Sequence, residues 1–241
     1  MMGKVILTGI GPGSKEMMTA QARFAIENCT AVCGYDKYVE QVADIIPAGT
    51  PVFTSGMKGE VERAETAVQF AKDGHDVCLI CGGDPSLYSL ASLVYQLADG
   101  KVDIEVIAGV TAAMAASSLL GAPIADDLAI ISMSDLLTPW EVIKKRIDAV
   151  NAGDFVTAIY NPKSMKRTQQ IEYALNTFMQ SRGDLITGTV RDAFRENQSV
   201  KISAISNFDY DFVGMTSIVI VGCRKTILID GKMVTPRGYP V

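Results

Sequence analysis

Residues 79–94, LICGGDPSLYSLASLV, end an apolar run on two glycines, an aspartate and a proline, then turn apolar again at once. Ligands of open α/β sheets bind outside the carboxyl ends of strands, and Gly82, Gly83, Asp84 and Pro85 stand at such an end. The glycines clear space, Pro85 fixes the corner, and Asp84 offers a carboxylate to an ammonium or a hydroxyl. A carboxylate just before a helix can equally be no more than its cap. Two further corners are of the same type. IAGVTAAMAASS places Gly109, Thr111 and Ala112 after another apolar run, and YNPKSMKR places Asn161 and Pro162 ahead of Lys163, Lys166 and Arg167. Three such corners in two lobes point to a cleft with an apolar floor and a basic rim. The basic run also suits a plain solvated helix face.

A fourth turn competes for a cofactor. TGIGPGSKE carries Gly9, Gly11 and Gly13 directly behind the first apolar run. The dinucleotide fingerprint GxGxxG needs its third glycine where Ser14 stands, and Pro12 removes an amide donor. Asp36, closing the second strand, could hold a ribose hydroxyl, so a nucleotide-dependent oxidoreductase stays open beside a tight turn without a ligand. Nucleophilic catalysis has little provision: no Ser-His-Asp or Cys-His arrangement is present. The one histidine, His75, lies in the polar turn KDGHD, and a lone histidine makes no zinc site. The five cysteines, Cys29, Cys33, Cys78, Cys81 and Cys223, are an odd count that argues against a disulfide framework. Cys78 and Cys81 are three apart on a strand, so their sulfurs point to opposite faces and share no metal.

Strand-like and helix-like segments alternate in the first half: VILTG, a helix from about Lys15 to Glu27, TAVCGY, DKYVEQVADII, PVFT, KGEVERAETAVQFAKDG, DVCLIC, SLYSLASLVYQLADG and DIEVIAG. The rhythm predicts an α/β fold with a mostly parallel sheet covered by helices. LAIISMS, TPWEVIKKRIDAV, FVTAIYNP, MKRTQQIEYALNTFMQ and DLITGTV continue it. VKISAIS, TSIVIVG and KTILIDGKMV then follow with little helix between them, which predicts antiparallel strands. Two lobes are therefore expected, residues 1–118 and 119–241, the second with a mixed sheet and an antiparallel edge.

Across 241 residues, 48% hydrophobic and 20% charged content supports a core of ordinary soluble type. A net charge of −5 does not favour a nucleic acid as partner. No apolar run is long enough for a membrane span. MMGKVILTGIGPGS reads as a first strand, not a signal peptide, which points to the cytoplasm.

GIGPGS, GGDPSLYS, IAGVTAAMAASSLLGAP, YNPKS and MTSIVIVG together make the chain resemble the tetrapyrrole (corrin and porphyrin) methylases, essentially end to end. GYDKYVEQV, GMKGEVERAETA, ISMSDLLTPWEVIKKRI, AIYNPKS and TPRGYP are similar to the precorrin-3B and cobalt-factor III C17-methyltransferases of that family. The resemblance implies the two-lobed methylase fold, a homodimer, and S-adenosylmethionine (SAM) as cofactor, leaving as S-adenosylhomocysteine. By position it assigns Gly83, Asp84, Tyr88, Thr111, Ala112, Ser132, Met133, Tyr160, Asn161, Met215 and Thr216 to the cofactor. It assigns the glycine loop, Gly9, Gly11, Pro12 and Gly13, to a small-molecule tetrapyrrole. Lys58, Arg63, Lys163, Lys166 and Arg167 are the candidate cations for that substrate's carboxylates, and Asp84 is the candidate acid or base in ring contraction. Cobalt would enter only within the substrate, and no metal site or iron–sulfur cluster is expected. Rival readings are methylation at another ring carbon, an RNA- or peptide-modifying methyltransferase of the same fold, and a non-catalytic tetrapyrrole or cobalt carrier.

Overall fold

The computed structural model describes residues 2–240. The chain divides into two compact units, Met1–Ala112 and Ala113–Val241, against the expected division at 118 and 119. The small-residue helix that follows the fifth strand accordingly belongs almost wholly to the second unit.

The first unit runs β1 (Lys4–Gly9), α1 (Ala20–Asn28), β2 (Ala31–Tyr35), α2 (Asp36–Val42), β3 (Val52–Ser55), α3 (Glu60–Lys72), β4 (Val77–Cys81), α4 (Ala91–Ala98) and β5 (Asp103–Ile107). The strands form one sheet in the order β3-β2-β4-β1-β5, and every pairing is parallel. A parallel sheet must be covered on both faces, and its inner strands β1, β2 and β4 are almost wholly buried for that reason, whereas the edge strands β3 and β5 are partly exposed. Val5, Leu7, Cys33, Leu79 and Cys81 pack on one side with α3 and α4. Ile6, Val32, Cys78 and Ile80 pack on the other with residues of α1 and α2. Cys78 and Cys81 thus lie on opposite faces, as strand alternation requires. Burying a side chain such as Leu7 or Leu79 stabilises the sheet by roughly 1.5–3 kcal/mol.

The second unit runs α5 (Ala112–Leu120), β6 (Gly121–Ala122), β7 (Leu128–Ser132), α6 (Trp140–Ala152), β8 (Val156–Tyr160), α7 (Gln169–Arg182), β9 (Ile186–Arg191), β10 (Ser199–Ala204), β11 (Ser217–Val221), β12 (Ile227–Ile229) and β13 (Lys232–Val234). Its main sheet has the order β10-β9-β11-β8-β7. Only β7 and β8 are parallel; β11 runs against both β8 and β9, and β10 runs against β9. Ile143, Ile147, Ile171, Leu175 and Phe178 of α6 and α7 pack with Ile131, Ile159, Val219 and Val221 of the strands. Leu120 of α5 sits on Gly188, where a Cβ would come within 2.5 Å of its side chain. The β12–β13 hairpin pairs with β6 through β13 in a separate small sheet.

Three helices begin later than their periodicity predicts. Residues 15–17 form a single 3-10 turn, and α1 starts only at Ala20, where the Thr19 hydroxyl accepts the Ala22 amide at 3.1 Å. Residues 84–90 form an irregular corner, closed where the Ala91 amide donates to the Pro85 carbonyl at 3.1 Å. The helix predicted from Met165 starts at Gln169. Among the described residues no helix is long and apolar enough to cross a membrane.

Candidate functional site

In the first unit, parallel strands bring every strand-to-helix turn to one end of the sheet. Gly9 stands opposite Cys81, and Thr8 opposite Ile107. The glycine loop and the GGDP corner, rivals in the sequence, are one assembly. Gly83 donates its amide to the Gly11 carbonyl at 2.8 Å, and Gly11 returns a bond to the Gly83 carbonyl at 3.2 Å. The third turn closes on both. A Cβ on Gly109 would lie 2.1 Å from the Gly83 oxygen and 2.9 Å from the Gly9 backbone, and a Cβ on Gly9 would lie 2.7 Å from the Gly109 nitrogen. Glycine is required at both positions because backbone packs directly on backbone. Gly82 is the seat of an aromatic ring: a Cβ there would come within 2.5 Å of Tyr38, which meets Tyr35 edge to face at 5.2 Å.

Gly83 itself is different. It has φ +67°, and a Cβ there would meet only Thr111 Cα, at 3.8 Å. Its missing side chain leaves open space beside Thr111. Tyr88, half exposed and also at positive φ, stands on the same corner.

Asp84 ties this assembly together. One carboxylate oxygen accepts the Ser86 amide at 2.8 Å and the Ser86 hydroxyl; the other accepts the Gly109 amide at 3.0 Å. Burial pulls its pKa upward, but the Ser86 hydroxyl and the Gly109, Ser86 and Leu87 amides outweigh that and hold it below the usual carboxylate range. An ionised carboxylate with both oxygens engaged braces two turns and is poorly disposed to carry protons. In this geometry Asp84 ties the turn at Gly109 to its own corner.

The second unit gathers its candidates at one sheet end as well. Ser132 stands opposite Tyr160. Because β11 runs against β8 with Val219 opposite Ile159, the turn carrying Met215 and Thr216 falls beside Asn161. Asn161, with φ +49°, donates from Nδ2 to the Ser132 hydroxyl at 2.9 Å. The Met133 amide donates to the Tyr160 carbonyl at 2.9 Å, and the Tyr160 hydroxyl accepts the Ala113 amide at 2.9 Å, at the start of α5. Met133 is fully buried, whereas Met215 is exposed.

The basic rim needs correction. Arg63 is 5% exposed and donates to the Ser55 carbonyl, the Ser55 hydroxyl and the Gly56 carbonyl at 3.2, 2.8 and 2.9 Å. It folds the loop before α3 and is not a cation offered to substrate. Arg167 is also turned inward, donating to the Asn161 carbonyl at 2.9 Å with Asp135 at 3.6 Å. Lys163 is taken by the Tyr210 carbonyl at 2.8 Å. Lys58 and Lys166 are exposed. Arg63→Ala is expected to lower stability by roughly 1.5–3 kcal/mol, the worth of charged hydrogen bonds. Lys166→Ala should stay within about 0.5 kcal/mol of the parent; urea melts of the two variants check the contrast.

Sequence reasoning missed Arg191, at the end of β9 opposite Ser199 and Ser217. Its position beside the Met215–Thr216 turn depends on strand pairing. The only local signal was a charge closing the apolar run DLITGTV.

Each unit thus carries a sheet with glycine, hydroxyl and amide groups crowded at one end, the arrangement of an α/β protein with its loops gathered at the strand ends. The chain belongs to the tetrapyrrole (corrin/porphyrin) methylases, whose family profile matches residues 4–209. It is 47% identical over 240 residues to "Cobalamin biosynthesis protein CbiHC" of Archaeoglobus fulgidus, covering 98% of this chain and 53% of that protein. It is 43% identical over 235 residues to a "Probable cobalt-factor III C(17)-methyltransferase" of Salmonella typhimurium, covering 96% of this chain and 97% of that one. Among solved structures, "the methyltransferase CobJ" superposes with a TM-score of 0.90 at 27% identity, over 97% of this chain and 100% of that one. The chain thus spans about half of the Archaeoglobus relative and nearly all of the Salmonella one.

Proposed function

We propose that the protein is a SAM-dependent C-methyltransferase of corrin biosynthesis, methylating C17 of cobalt-factor III or precorrin-3B with contraction of the macrocycle. The observation that carries this reading is the match to the Salmonella relative, which runs nearly the full length of both chains. The turns fit the cofactor. Its adenosine and amino-acid parts call for amides, hydroxyls and open space, and the corner offers an unfilled cradle at Gly83. The residues that would hold it are Gly83, Asp84, Tyr88, Thr111 and Ala112 in the first unit. In the second they are Ser132, Met133, Tyr160, Asn161, Met215 and Thr216.

When bound, SAM supplies an electrophilic methyl on a sulfonium, whose displacement by an electron-rich ring carbon needs no protein nucleophile. The chain's contribution is then positioning, which can lower such a barrier by about 7–11 kcal/mol. Asp84 serves it by fixing Gly109 against Gly83. Asn161 serves it by fixing the end of β8 against Ser132. Cobalt belongs to the substrate and requires no ligands from these residues. Incubation with SAM and cobalt-factor III, or with precorrin-3B, should give a product heavier by one methylene with the spectrum of a contracted ring. An unchanged pigment in both incubations would refute the reading, and a methyl on another ring carbon would reassign the step.

A further inference from the structure

Four arginines, Arg63, Arg167, Arg182 and Arg191, have a buried Nε without a hydrogen-bond partner. In three of them another guanidinium nitrogen is engaged, although Nη2 of Arg182 also lacks a partner. Arg63 bonds Ser55 and Gly56, Arg167 bonds the Asn161 carbonyl, and Arg182 bonds Asp154 at 3.2 Å and the Phe155 carbonyl at 3.0 Å. Arg191 is the exception among the described residues. No hydrogen bond or ion pair holds it; its one contact of note is the Phe212 ring, with the guanidinium carbon 5.5 Å from the centroid. A partly buried cation with unused donors lowers the stability of the ligand-free protein. Asp209, whose carboxylate accepts the Phe212 amide at 3.1 Å, is paired with Lys201 at 2.6 Å. Lys201 also lies over Phe212, at 6.0 Å.

Position supplies the rest. Arg191 closes β9 at the same sheet end as Asn161 and Ser132. Its Nε is 3.9 Å from where a Cβ on Gly214 would be, so it borders the turn that carries Met215 and Thr216. The Phe212 ring lies against the guanidinium, and a planar guanidinium fork matches a carboxylate through two parallel hydrogen bonds.

We propose that Arg191 binds a carboxylate of a ligand held at this sheet end. This inference rests on the methyltransferase reading, under which two ligands bring carboxylates: the amino-acid end of the methyl donor and the acetate and propionate arms of the tetrapyrrole. The test uses Arg191→Gln and Arg191→Lys, with S-adenosylhomocysteine titrated by calorimetry and cobalt-factor III by absorbance. Both variants should melt no lower than the parent when ligand-free, because an unpaired charge is removed or made easier to hydrate. Arg191→Gln should weaken one ligand by about tenfold or more, and the ligand affected identifies the source of the carboxylate. Arg191→Lys should recover only part of that affinity, since an ammonium cannot make the paired contact. Should Arg191→Gln fold poorly, Arg191→Lys alone decides, by the same criterion of weakened binding with unimpaired melting. If the parent binds both ligands and the variants match it within about twofold, the inference is wrong while the methyltransferase reading stands. If the parent binds neither ligand, that reading fails first, and the role of Arg191 fails with it.

Discussion

Gly109→Ala is expected to yield little native protein, while Gly83→Ala folds and loses its ligand. At position 109 the added carbon would lie 2.1 Å from the Gly83 oxygen and 2.9 Å from the Gly9 backbone. Both obstacles are main chain, so no rotamer change relieves them. The cost should exceed the roughly 1–3 kcal/mol of ordinary overpacking, because three strand ends must separate. At position 83 the added carbon meets nothing closer than Thr111 Cα at 3.8 Å, and the penalty is conformational. Holding alanine at φ +67° costs about 1–2 kcal/mol, which a two-unit protein of this size can absorb. The methyl would stand in the cradle that the proposed function assigns to the methyl donor. Urea melts beside S-adenosylhomocysteine titrations separate the two effects. A Gly109→Ala protein as stable as its parent would mean that the three turns do not pack as described.

Asp84→Ala should lower kcat/KM by about a hundredfold, the scale on which a misplacement of around 1 Å acts, with a smaller loss of stability. The substitution frees the Gly109 amide and lets the β5 turn drift from the GGDP corner. Asp84→Asn should be intermediate, because its oxygen can still accept from one of the two turns. A depressed folded pKa stabilises only where the carboxylate is ionised. Asp84's contribution is therefore complete above its ordinary value of 3.8 and is lost as pH falls through the lower folded value. The activity profile should accordingly show no Asp84-dependent inflection near neutrality. If such an inflection existed in the parent and vanished in Asp84→Asn, a proton-transfer role would replace the bracing role.

β1, β4 and β8 were legible because each is an apolar run ended by glycine or asparagine, and the parallel and antiparallel halves followed from what separates the strand-like runs. Helix starts were less legible. Thr19 and Asp84 use their side chains to hold backbone amides, so the residues around them turn although their types would tolerate a helix. The GGDP corner, the IAGVTA turn and the YNP turn could be marked as candidate ligand sites from position alone. That the glycine loop bonds to the GGDP corner could not, because Gly11 and Gly83 meet only through the pairing of β1 with β4. The cations were the least legible. Arg63 and Arg167 read as substrate ligands until loop carbonyls within a few residues claimed them. Arg191 went unnoticed because its neighbours come from β10, β11 and the turn before β11.

The most direct test is to supply SAM labelled in its methyl group with cobalt-factor III and to locate the label in the product by NMR. The account predicts that the parent enzyme places it on C17, and that Gly83→Ala places far less label, on the same carbon. Label on another carbon, or equal transfer by the parent and Gly83→Ala, would contradict it.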